Sequence, residues 1–376
     1  MRPRVCYISR NYYNLSGAGN KAKTDIEKTL QQTGAVNIGL PTTFYDNKVV
    51  AFFLNLVGII KACFCVRGGD VLVLQYPVKK YFGFLCQMAH ARGAKVVVVI
   101  HDLMSLHRKR VTLSTEISRL SKGDYVIASN AQMKEWLAAQ GLKCQMGALG
   151  LFDYRSDALA PRTSHLASRI PEQSSPTRSL SSNYPLSSLL SPLSSPDSPR
   201  WSLVYAGALT MRKNAYLLEL ARQAQHFCIH IYGNKEGLPG IEEAPHAVCH
   251  PFMPADEFIR SAEGDFGLVW DGNSLETCQG DFGEYLRYNS PHKVSFYLRA
   301  GLPVVIWKEA AVASIIEQEG IGITIGSIAE LEQRLQTMSI SEYEQMRKNV
   351  VRVSGRLASG QYFLEALEQA LQMVKA

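Results

Sequence analysis

The sequence of 376 residues contains no CxxC pair, although it has eight cysteines. The closest two, Cys63 and Cys65, lie in an apolar run, where free cysteine behaves as a small hydrophobe. This distribution excludes a disulfide-stapled scaffold, and we expect a reducing compartment and no structural zinc. Residues 1–4 lead directly into a strand-like segment at 5–9, which leaves no room for the apolar region of a secretory signal. We therefore expect a cytoplasmic protein.

An uninterrupted membrane-spanning run is also lacking. The most apolar segment, 49–66, is broken by Asn55 and Lys61, whereas a span needs about 20 apolar residues. We expect a buried core helix there, with a transmembrane or interfacial helix as the alternative.

Acidic residues are scarce in the first half of the chain. Residues 1–150 carry 20 of the 40 basic residues but 8 of the 33 acidic ones, a net charge of +12, while the remainder carries −5. Such a charge suits nucleic acid, an anionic membrane surface or phosphate-bearing substrates, or it is a solvated surface without a partner. No interleaving of aromatic and basic residues typical of a nucleic-acid module is present, so we expect no nucleic-acid partner.

Strand-length apolar runs alternate with helical stretches along most of the chain. The runs at 5–9, 71–76, 95–101 and 125–129, and again at 201–207, 227–232, 265–270 and 303–307, predict buried parallel strands. This rhythm predicts an α/β fold with two domains and a cleft between them. Between the domains, residues 161–200 contain seven prolines and thirteen serines, a composition typical of a mobile linker or insertion.

Three loops that follow predicted strands carry candidate site residues, because parallel sheets bind ligands beyond the carboxyl ends of their strands. The first contains Ser16, Gly17 and Gly19 ahead of a helix, a pattern that suits phosphate binding or a tight turn without ligand. Ala22 occupies the place of the third glycine of a dinucleotide motif, which disfavours a nicotinamide enzyme.

The second loop places His101 and Asp102 directly after a strand. Either side chain can take a proton from a hydroxyl there, whereas the alternative is a helix cap at Asp102 or Ser105 with His101 merely hydrogen-bonded. The third loop, after strand 201–207, carries Arg212 and Lys213, which suit a diphosphate.

The segment 285–307 is the most informative. Asn289 or Ser290 is predicted to cap a helix with Pro291 in its first turn, and Gly301 is predicted to end it before a strand. The free N–H groups of this helix, with His292 and Lys293 beside them, predict an anion site that faces the cleft.

The unit P-x-K-x-x-x-Y-L-x-A-G-x-P-V-V at 291–305 resembles the nucleotide-binding unit of GT-B glycosyltransferases. Together with the S-x-x-G-N-K-A segment at 16–22, H-D-x-x-S-L at 101–106 and G-L-V-W-D-G at 267–272, it is similar to bacterial glucosyltransferases and β-1,6-galactofuranosyltransferases. The resemblance implies an α/β fold of GT-B type with two Rossmann-like domains. It implies residues 1–154 as the acceptor domain, 155–200 as a linker or insertion, 201–356 as the UDP-sugar domain and 357–376 as a C-terminal helix that packs back at the junction.

The resemblance also implies which residues hold the UDP-sugar. They are Ser16, Gly17, Gly19, Arg212, Lys213, His250, Phe252, Asn289, His292 and Lys293. The uracil is expected near His250 and Phe252. Asp102 is the implied general base, with His101 second. No metal and no cofactor are implied beyond the donor substrate. The E-x7-E pattern of many retaining relatives is not recognised before the helix, where Glu276 and Glu284 bracket the loop, and this favours inversion.

These observations predict an inverting, metal-independent hexosyltransferase that moves glucose or galactofuranose from a UDP-sugar to a saccharide hydroxyl in cell-surface glycan or glycoprotein synthesis. The acceptor is expected to be lipid- or protein-linked, with the enzyme in the cytoplasm or at the inner face of the membrane through a peripheral contact. A homo-oligomer is compatible with the sequence. The alternatives are a UDP-sugar 2-epimerase and a non-catalytic nucleotide-binding subunit.

The serine- and proline-rich composition of 161–200 generates a first prediction. Replacing the segment by a short Gly/Ser bridge should leave the melting temperature within about 3 °C of the wild type, because loop length enters stability only logarithmically. Differential scanning calorimetry measures this shift. Loss of the cooperative transition would instead indicate that the segment is packed against the domains.

Overall fold

The computed structural model describes residues 3–12, 18–78, 81–107, 111–161 and 201–374. Two parallel sheets of six strands each form its centre, in the orders β2-β1-β3-β4-β5-β6 and β12-β11-β10-β7-β8-β9. The first sheet consists of β1 (Val5–Tyr7), β2 (Val36–Asn37), β3 (Val71–Tyr76), β4 (Lys95–Ile100), β5 (Tyr125–Ala128) and β6 (Gln145–Ala148). The second consists of β7 (Trp201–Ala206), β8 (Phe227–Tyr232), β9 (Ala247–His250), β10 (Phe266–Val269), β11 (Val304–Trp307) and β12 (Gly322–Ile325).

Helices connect the strands and cover both sheets. Those of the first half are α1 (Ala18–Gln32), α2 (Lys48–Cys65), α3 (Phe82–Ala91), α4 (Met104–His107), α5 (Leu113–Leu120) and α6 (Ala131–Ala139). Those of the second half are α7 (Met211–Gln223), α8 (Ala255–Ser261), α9 (Gly280–Tyr285), α10 (His292–Arg299), α11 (Ala313–Glu319), α12 (Ile328–Thr337), α13 (Ile340–Ser359) and α14 (Gln361–Met373). The alternation confirms the predicted α/β fold of two Rossmann-like domains.

The strand orders locate the points where ligands bind. The second sheet has the 3-2-1-4-5-6 order of a dinucleotide-binding fold, and its order reverses between β7 and β10. In the first sheet the reversal lies between β1 and β3. Connections leave these neighbouring strands in opposite directions, which opens a crevice at their carboxyl ends. The loops after β1, β3, β7 and β10 are therefore the expected places for a site.

The eight predicted strands are all present, with ends within two residues of the prediction. The other four strands, β2, β6, β9 and β12, are not among the predicted runs, and each has only two to four residues. The Ser/Pro segment 161–200 lies outside the described residues apart from Pro161.

The prediction that segment 49–66 is a buried core helix is wrong. The segment forms α2, but only Gly58, Ile59 and Ala62 are buried, and most of its large apolar side chains are exposed. A helix that lies on a sheet buries only the face that contacts the sheet, and a sequence that is apolar all round does not reveal that the other face is uncovered.

The C-terminal helix is shorter than predicted. Gly360, with a φ of +83°, breaks the segment so that α13 ends at Ser359 and α14 begins at Gln361. The first N–H groups of α14, from Tyr362 and Phe363, donate to the Asp153 carboxylate at 3.2 and 2.8 Å. As predicted, α14 packs back across the junction, where it lies against β5 and β6 of the first sheet.

Asp153 makes this junction sensitive to pH. Burial raises the pKa of its carboxyl group to about 7, although the two N–H donors oppose the shift. The carboxyl group of an unfolded chain titrates near 3.9. The folded protein therefore binds a proton between about pH 4 and pH 7 that the unfolded chain has released.

Asp153 should accordingly lower the free energy of unfolding as pH rises from about 4 to about 7, by on the order of 2–4 kcal/mol, and contribute no further change above that range. Asp153→Asn should lose this dependence, so that its stability relative to wild type improves with pH. Urea denaturation across the range measures the difference. Asp157→Asn, at an exposed position of the same segment, serves as control. A difference between Asp153→Asn and wild type that does not vary with pH would contradict the assignment.

Candidate functional site

The loop after β7 provides the space for a lysine side chain. Gly207 follows the strand with a φ of +141°, and a Cβ atom there would lie 3.3 Å from Cε of Lys293. Glycine therefore satisfies both the backbone conformation and the close approach. Because Gly207 lies at the reversal point of the second sheet, Lys293 projects into the crevice where ligands of such folds bind.

The ammonium group of Lys293 is buried and incompletely paired. Nζ lies 3.4 Å from the ring centroid of Tyr205, and it has no hydrogen-bond partner among the described residues. Burial lowers its pKa well below the usual value; Lys213 lowers it further and Asp271 raises it. A buried cation without an acceptor is costly, so the free protein is set to gain an anion at this position.

The start of α10 contributes further unpaired polar atoms. Asn289 Oδ1 and His292 Nδ1 are buried without a partner in the described part of the chain. The predicted capping by Asn289 or Ser290 is wrong: Pro291 is the N-cap residue, and no side chain accepts from the first N–H groups. These N–H groups and Lys293 lie at the same end of the helix, an arrangement that suits an anion.

Ser290 instead fastens this helix end to the first domain. Its hydroxyl lies 2.9 Å from the carbonyl oxygen of Ser129 and 2.8 Å from that of Gly150. Asn130 donates to the same hydroxyl at 3.1 Å and, through its Oδ1, caps α6. The position of α10 is therefore fixed by hydrogen bonds to the loops that follow β5 and β6.

Two histidines from different domains meet at one phenylalanine. The rings of His101 and His292 stack on Phe152 with centroid distances of 5.2 and 4.6 Å. Burial and the nearby Lys21 and Lys23 lower the pKa of His292 to about 3. Burial also lowers the pKa of His101 well below its usual value, as do Lys23, His292 and Arg10. Both imidazoles are therefore neutral at pH 7.

The hydrogen bonds of His101 define its tautomer. Gln75 donates through Nε2 to the carbonyl oxygen of Lys23 at 3.2 Å, so its Oε1 faces His101 Nε2 at 2.8 Å. Nε2 must then carry the proton, which leaves Nδ1 as an acceptor. Nδ1 is buried, and no partner for it exists within the described ranges.

Asp102 is half-buried and lies at the domain interface. Tyr285 of α9 donates to its Oδ1 at 3.4 Å and accepts from the Leu103 N–H at 2.9 Å. The capping role considered for Asp102 or Ser105 belongs to Glu116, whose carboxylate accepts from the N–H groups of Met104 and Ser105 at 2.8 and 2.9 Å.

One group of side chains has the composition of a metal site. His230, His250 and Glu263 bring three ligand atoms within 4.8 Å of one another at the β8–β9 side of the second sheet. His230 Nδ1 and His250 Nε2 lie 2.8 Å apart, and the His250 ring also stacks on Tyr232 at 4.2 Å. The mutual hydrogen bond accounts for one ring nitrogen of each imidazole without an ion.

Comparison with known proteins decides the family. Residues 5–151 match the N-terminal domain and residues 203–370 the C-terminal domain described as glucosyltransferase 3-like. The chain belongs to the glucosyltransferase 3-like family. It is 29% identical over 367 residues to the β-1,6-galactofuranosyltransferase WbbI of Escherichia coli K12, covering 96% of this chain and 97% of that protein. It is 24% identical over 376 residues to glucosyltransferase 3 of Streptococcus gordonii, covering 97% and 98%.

Solved structures share the fold of this glucosyltransferase 3-like protein. A glycosyltransferase from Rickettsia africae aligns with a TM-score of 0.56 at 10% identity, over 100% of this chain and 99% of that one. The apo structure of OtsA aligns with a TM-score of 0.58 at 10% identity, over 98% and 99%. The fold is therefore GT-B, and the chain is a glycosyltransferase, as the sequence predicted.

The glucosyltransferase 3-like chain brings together only part of the predicted donor site. Asn289, His292, Lys293 and Lys213 lie around the start of α10 and the end of β7. Arg212 does not join them, since it is 71% exposed in its side chain and pairs with Asp281 at 2.5 Å. Its neighbour Lys213 pairs with Asp271 at 3.4 Å and influences Lys293.

The remaining predicted donor residues lie farther from the start of α10 or fall outside the described residues. His250 ends β9 and Phe252 lies just beyond it, two strands from β7, a distance of roughly 10 Å along the sheet edge. Gly19 is exposed in the first turn of α1, and no heavy atom outside its own turn lies within 4 Å of the place of a Cβ. Ser16 and Gly17 lie outside the described residues.

The prediction that the E-x7-E pattern is absent is wrong. Glu276 and Glu284 are separated by seven residues, which is the E-x7-E spacing. Both are exposed, and Glu284 pairs with Arg287. The supposed absence of the pattern therefore gives no support for inversion.

Sequence reasoning missed five residues at the site: Arg10, Lys23, Gln75, Phe152 and Tyr285. Arg10 and Gln75 could have been found, because they lie at the ends of β1 and β3, beside the reversal point of the first sheet. Phe152 and Tyr285 carry no local signal, since their role depends on contacts between the domains.

Proposed function

We propose that the enzyme transfers a hexosyl group from a UDP-sugar to a hydroxyl of a lipid- or protein-linked saccharide without a metal ion. The observation that carries this proposal is the cluster of buried, unpaired polar atoms of Asn289, His292 and Lys293 at the start of α10. The two phosphates of a UDP-sugar supply oxygen acceptors for the ammonium group of Lys293 and for the first N–H groups of α10. The relatives are named for galactofuranosyl and glucosyl transfer, which supports a hexose donor.

In this mechanism the second domain binds the diphosphate and the first domain presents the acceptor. The acceptor oxygen attacks the anomeric carbon, the bond between that carbon and the diphosphate oxygen breaks, and UDP leaves with the electron pair. Lys293, Lys213 and the N–H groups of α10 stabilise the charge that develops on the leaving diphosphate. The same electrostatic task is performed by a divalent cation in metal-dependent enzymes.

Asp102 is the proposed general base that removes the acceptor proton. Its carboxylate is half-buried at the first-domain wall of the cleft, whereas His101 Nδ1 is enclosed and its low pKa makes it a weak base. His101 is kept as the second candidate because its Nδ1 has the right tautomer. A single displacement assisted by such a base inverts the anomeric centre, and we propose inversion on that ground.

The alternatives have less support. A UDP-sugar 2-epimerase and a non-catalytic subunit would both use a nucleotide site, but the family is one of glycosyltransferases. A role in cell-surface glycan or glycoprotein synthesis remains our proposal, since it depends on the acceptor.

The donor site is tested by a panel of UDP-sugars, including UDP-glucose and UDP-galactofuranose, with Lys293→Met. The preferred donor at 100 times its Kd should add about 2.7 kcal/mol to the free energy of unfolding of the wild type. Lys293→Met should lower kcat/KM by roughly 10²–10³, the value of one preorganised donor. Its free form should melt at the wild-type temperature or higher, because a buried cation without an acceptor is removed.

The control for this experiment is Lys348→Met, at an exposed position of α13. It should leave donor binding and turnover unchanged, and chelators should not reduce wild-type activity. Wild-type kcat/KM in Lys293→Met, or no stabilisation by any UDP-sugar, would contradict the donor assignment.

The base is tested by Asp102→Asn and His101→Gln. Asp102→Asn keeps the shape, so UDP affinity should persist while turnover falls by roughly 10²–10⁴. If Asp102→Asn turns over normally and His101→Gln is inactive, the base is His101. NMR of the product anomer then tests inversion directly.

A further inference from the structure

Helix α2 exposes an apolar stripe that the fold leaves uncovered. At 3.6 residues per turn, six of its exposed side chains fall within an arc of about 100°. This apolar stripe consists of Val49, Val50, Phe53, Val57, Ile60 and Phe64. Phe53 is 57% exposed and Phe64 77% exposed. Contiguous exposed apolar surface on a folded domain is typical of an interaction site.

The opposite face of α2 excludes a spanning role. The helix is long and apolar enough to cross a membrane by length and composition. However, Gly58, Ile59 and Ala62 are buried on that face, and both ends connect to strands of one sheet. A membrane can therefore contact α2 only from the side, along the apolar stripe.

An apolar groove adjoins the first half of the stripe. It has a volume of about 310 Å³ and is lined by Leu40, Val49, Val50, Phe53, Leu54 and Val57. Aliphatic and aromatic walls without a polar group suit a hydrocarbon chain better than a polar peptide segment.

The charge around the stripe favours an anionic lipid surface over a second copy of the chain. Residues 45–70 contain Lys48, Lys61 and Arg67 against Asp46 and Asp70, within a first domain whose residues 1–150 carry a net charge of +12. Asp70 is buried and pairs with Arg4 at 2.5 Å. Two copies joined through the stripe would bring like charges together, whereas anionic headgroups complement them.

The stripe begins at the edge of the sheet that carries the candidate base. Tyr45, just before α2, exchanges two hydrogen bonds of 2.8 Å with the side chain of Asn11. The adjacent Arg10 donates to the carbonyl oxygen of Gln75 at 3.2 Å, and Gln75 contacts His101. A membrane that contacts the apolar stripe of α2 therefore lies beside the first-domain wall of the cleft, where the acceptor is proposed to bind.

We propose that the apolar stripe of α2 is a membrane-docking surface that inserts into the headgroup region of an anionic bilayer. Phe53 and Phe64 enter the hydrocarbon boundary while the surrounding cations, including the exposed Lys48, contact the headgroups. The further statement that the acceptor is lipid-linked rests on the proposed function; the docking surface does not.

The test measures binding of the full chain to phosphatidylcholine vesicles with and without phosphatidylglycerol, at low and high salt. Binding should require phosphatidylglycerol and weaken steeply with salt. Phe53→Ser/Phe64→Ser should reduce the vesicle partition coefficient by roughly tenfold or more, because two aromatic side chains lose their apolar contact. Melting temperature should be unchanged, since neither side chain is buried.

A matched pair of single variants controls for loss of apolar surface in general. Val57→Ser changes the stripe, whereas Val351→Ser changes a residue that is 68% exposed on α13 of the other domain. Only Val57→Ser should weaken binding. Equal binding to neutral vesicles, no binding at low salt, or equal effects of both variants would overturn the proposal. So would a dimer, detected by light scattering, that Phe53→Ser/Phe64→Ser dissociates.

The same samples separate this proposal from the proposed function. UDP should stabilise wild type and Phe53→Ser/Phe64→Ser equally, because the donor site lies in the other domain. Vesicle binding without any stabilisation by UDP would leave the docking surface intact and contradict the donor site. Stabilisation by UDP without vesicle binding would contradict the docking surface and leave the donor site intact.

Discussion

The placement of helix α10 relative to the first domain is the constraint on which the rest of the site depends. At its start, the hydroxyl of Ser290 lies within hydrogen-bond distance of two carbonyl oxygens of the first domain. At its end, the buried Arg299 donates to the carbonyl oxygens of Ser156 and Ala158 and to Ser354 of α13. A helix anchored at both ends keeps Asn289, His292 and Lys293 in place although their own polar atoms are unpaired. The unfavourable burial of those unpaired atoms is offset by the hydrogen bonds that other residues, Ser290 and Arg299, make.

The charge asymmetry of the sequence is partly explained by this arrangement. Arg10, Lys21 and Lys23 of the first domain each act on the pKa of His101 or His292. Lys21 also pairs with the carboxylate of Asp25, but the two imidazoles near these cations are neutral. The first domain therefore adds a positive potential to the same cleft in which α10 presents its N–H groups. A doubly charged leaving group would thus be attracted by both domains, which favours their approach when a donor is bound.

The sequence predicted the architecture well because buried parallel strands are continuous apolar runs, and all eight predicted strands are present. The short edge strands β2 and β12 were missed because few of their residues are buried on both faces. For the site, the position of Lys293 followed from the proline and glycine that bound α10. The cap at Asn289 or Ser290 was wrong because Ser290 finds its partners 140 or more residues away. The same reason applies to Phe152, Tyr285 and the uncovered face of α2. Their surroundings depend on segments that are distant in the sequence, so no local pattern predicts them.

The path of the backbone determines how the two halves can move. It leaves the first sheet after β6 and returns from the second domain at Gly360, where α14 begins and packs on β5 and β6. The two halves are therefore joined covalently at two places. A body held at two points has one easy rotation, about the line through them, and resists twisting about the other axes. Any widening of the cleft would therefore have to break the hydrogen bonds that anchor α10 at Ser290 and Arg299.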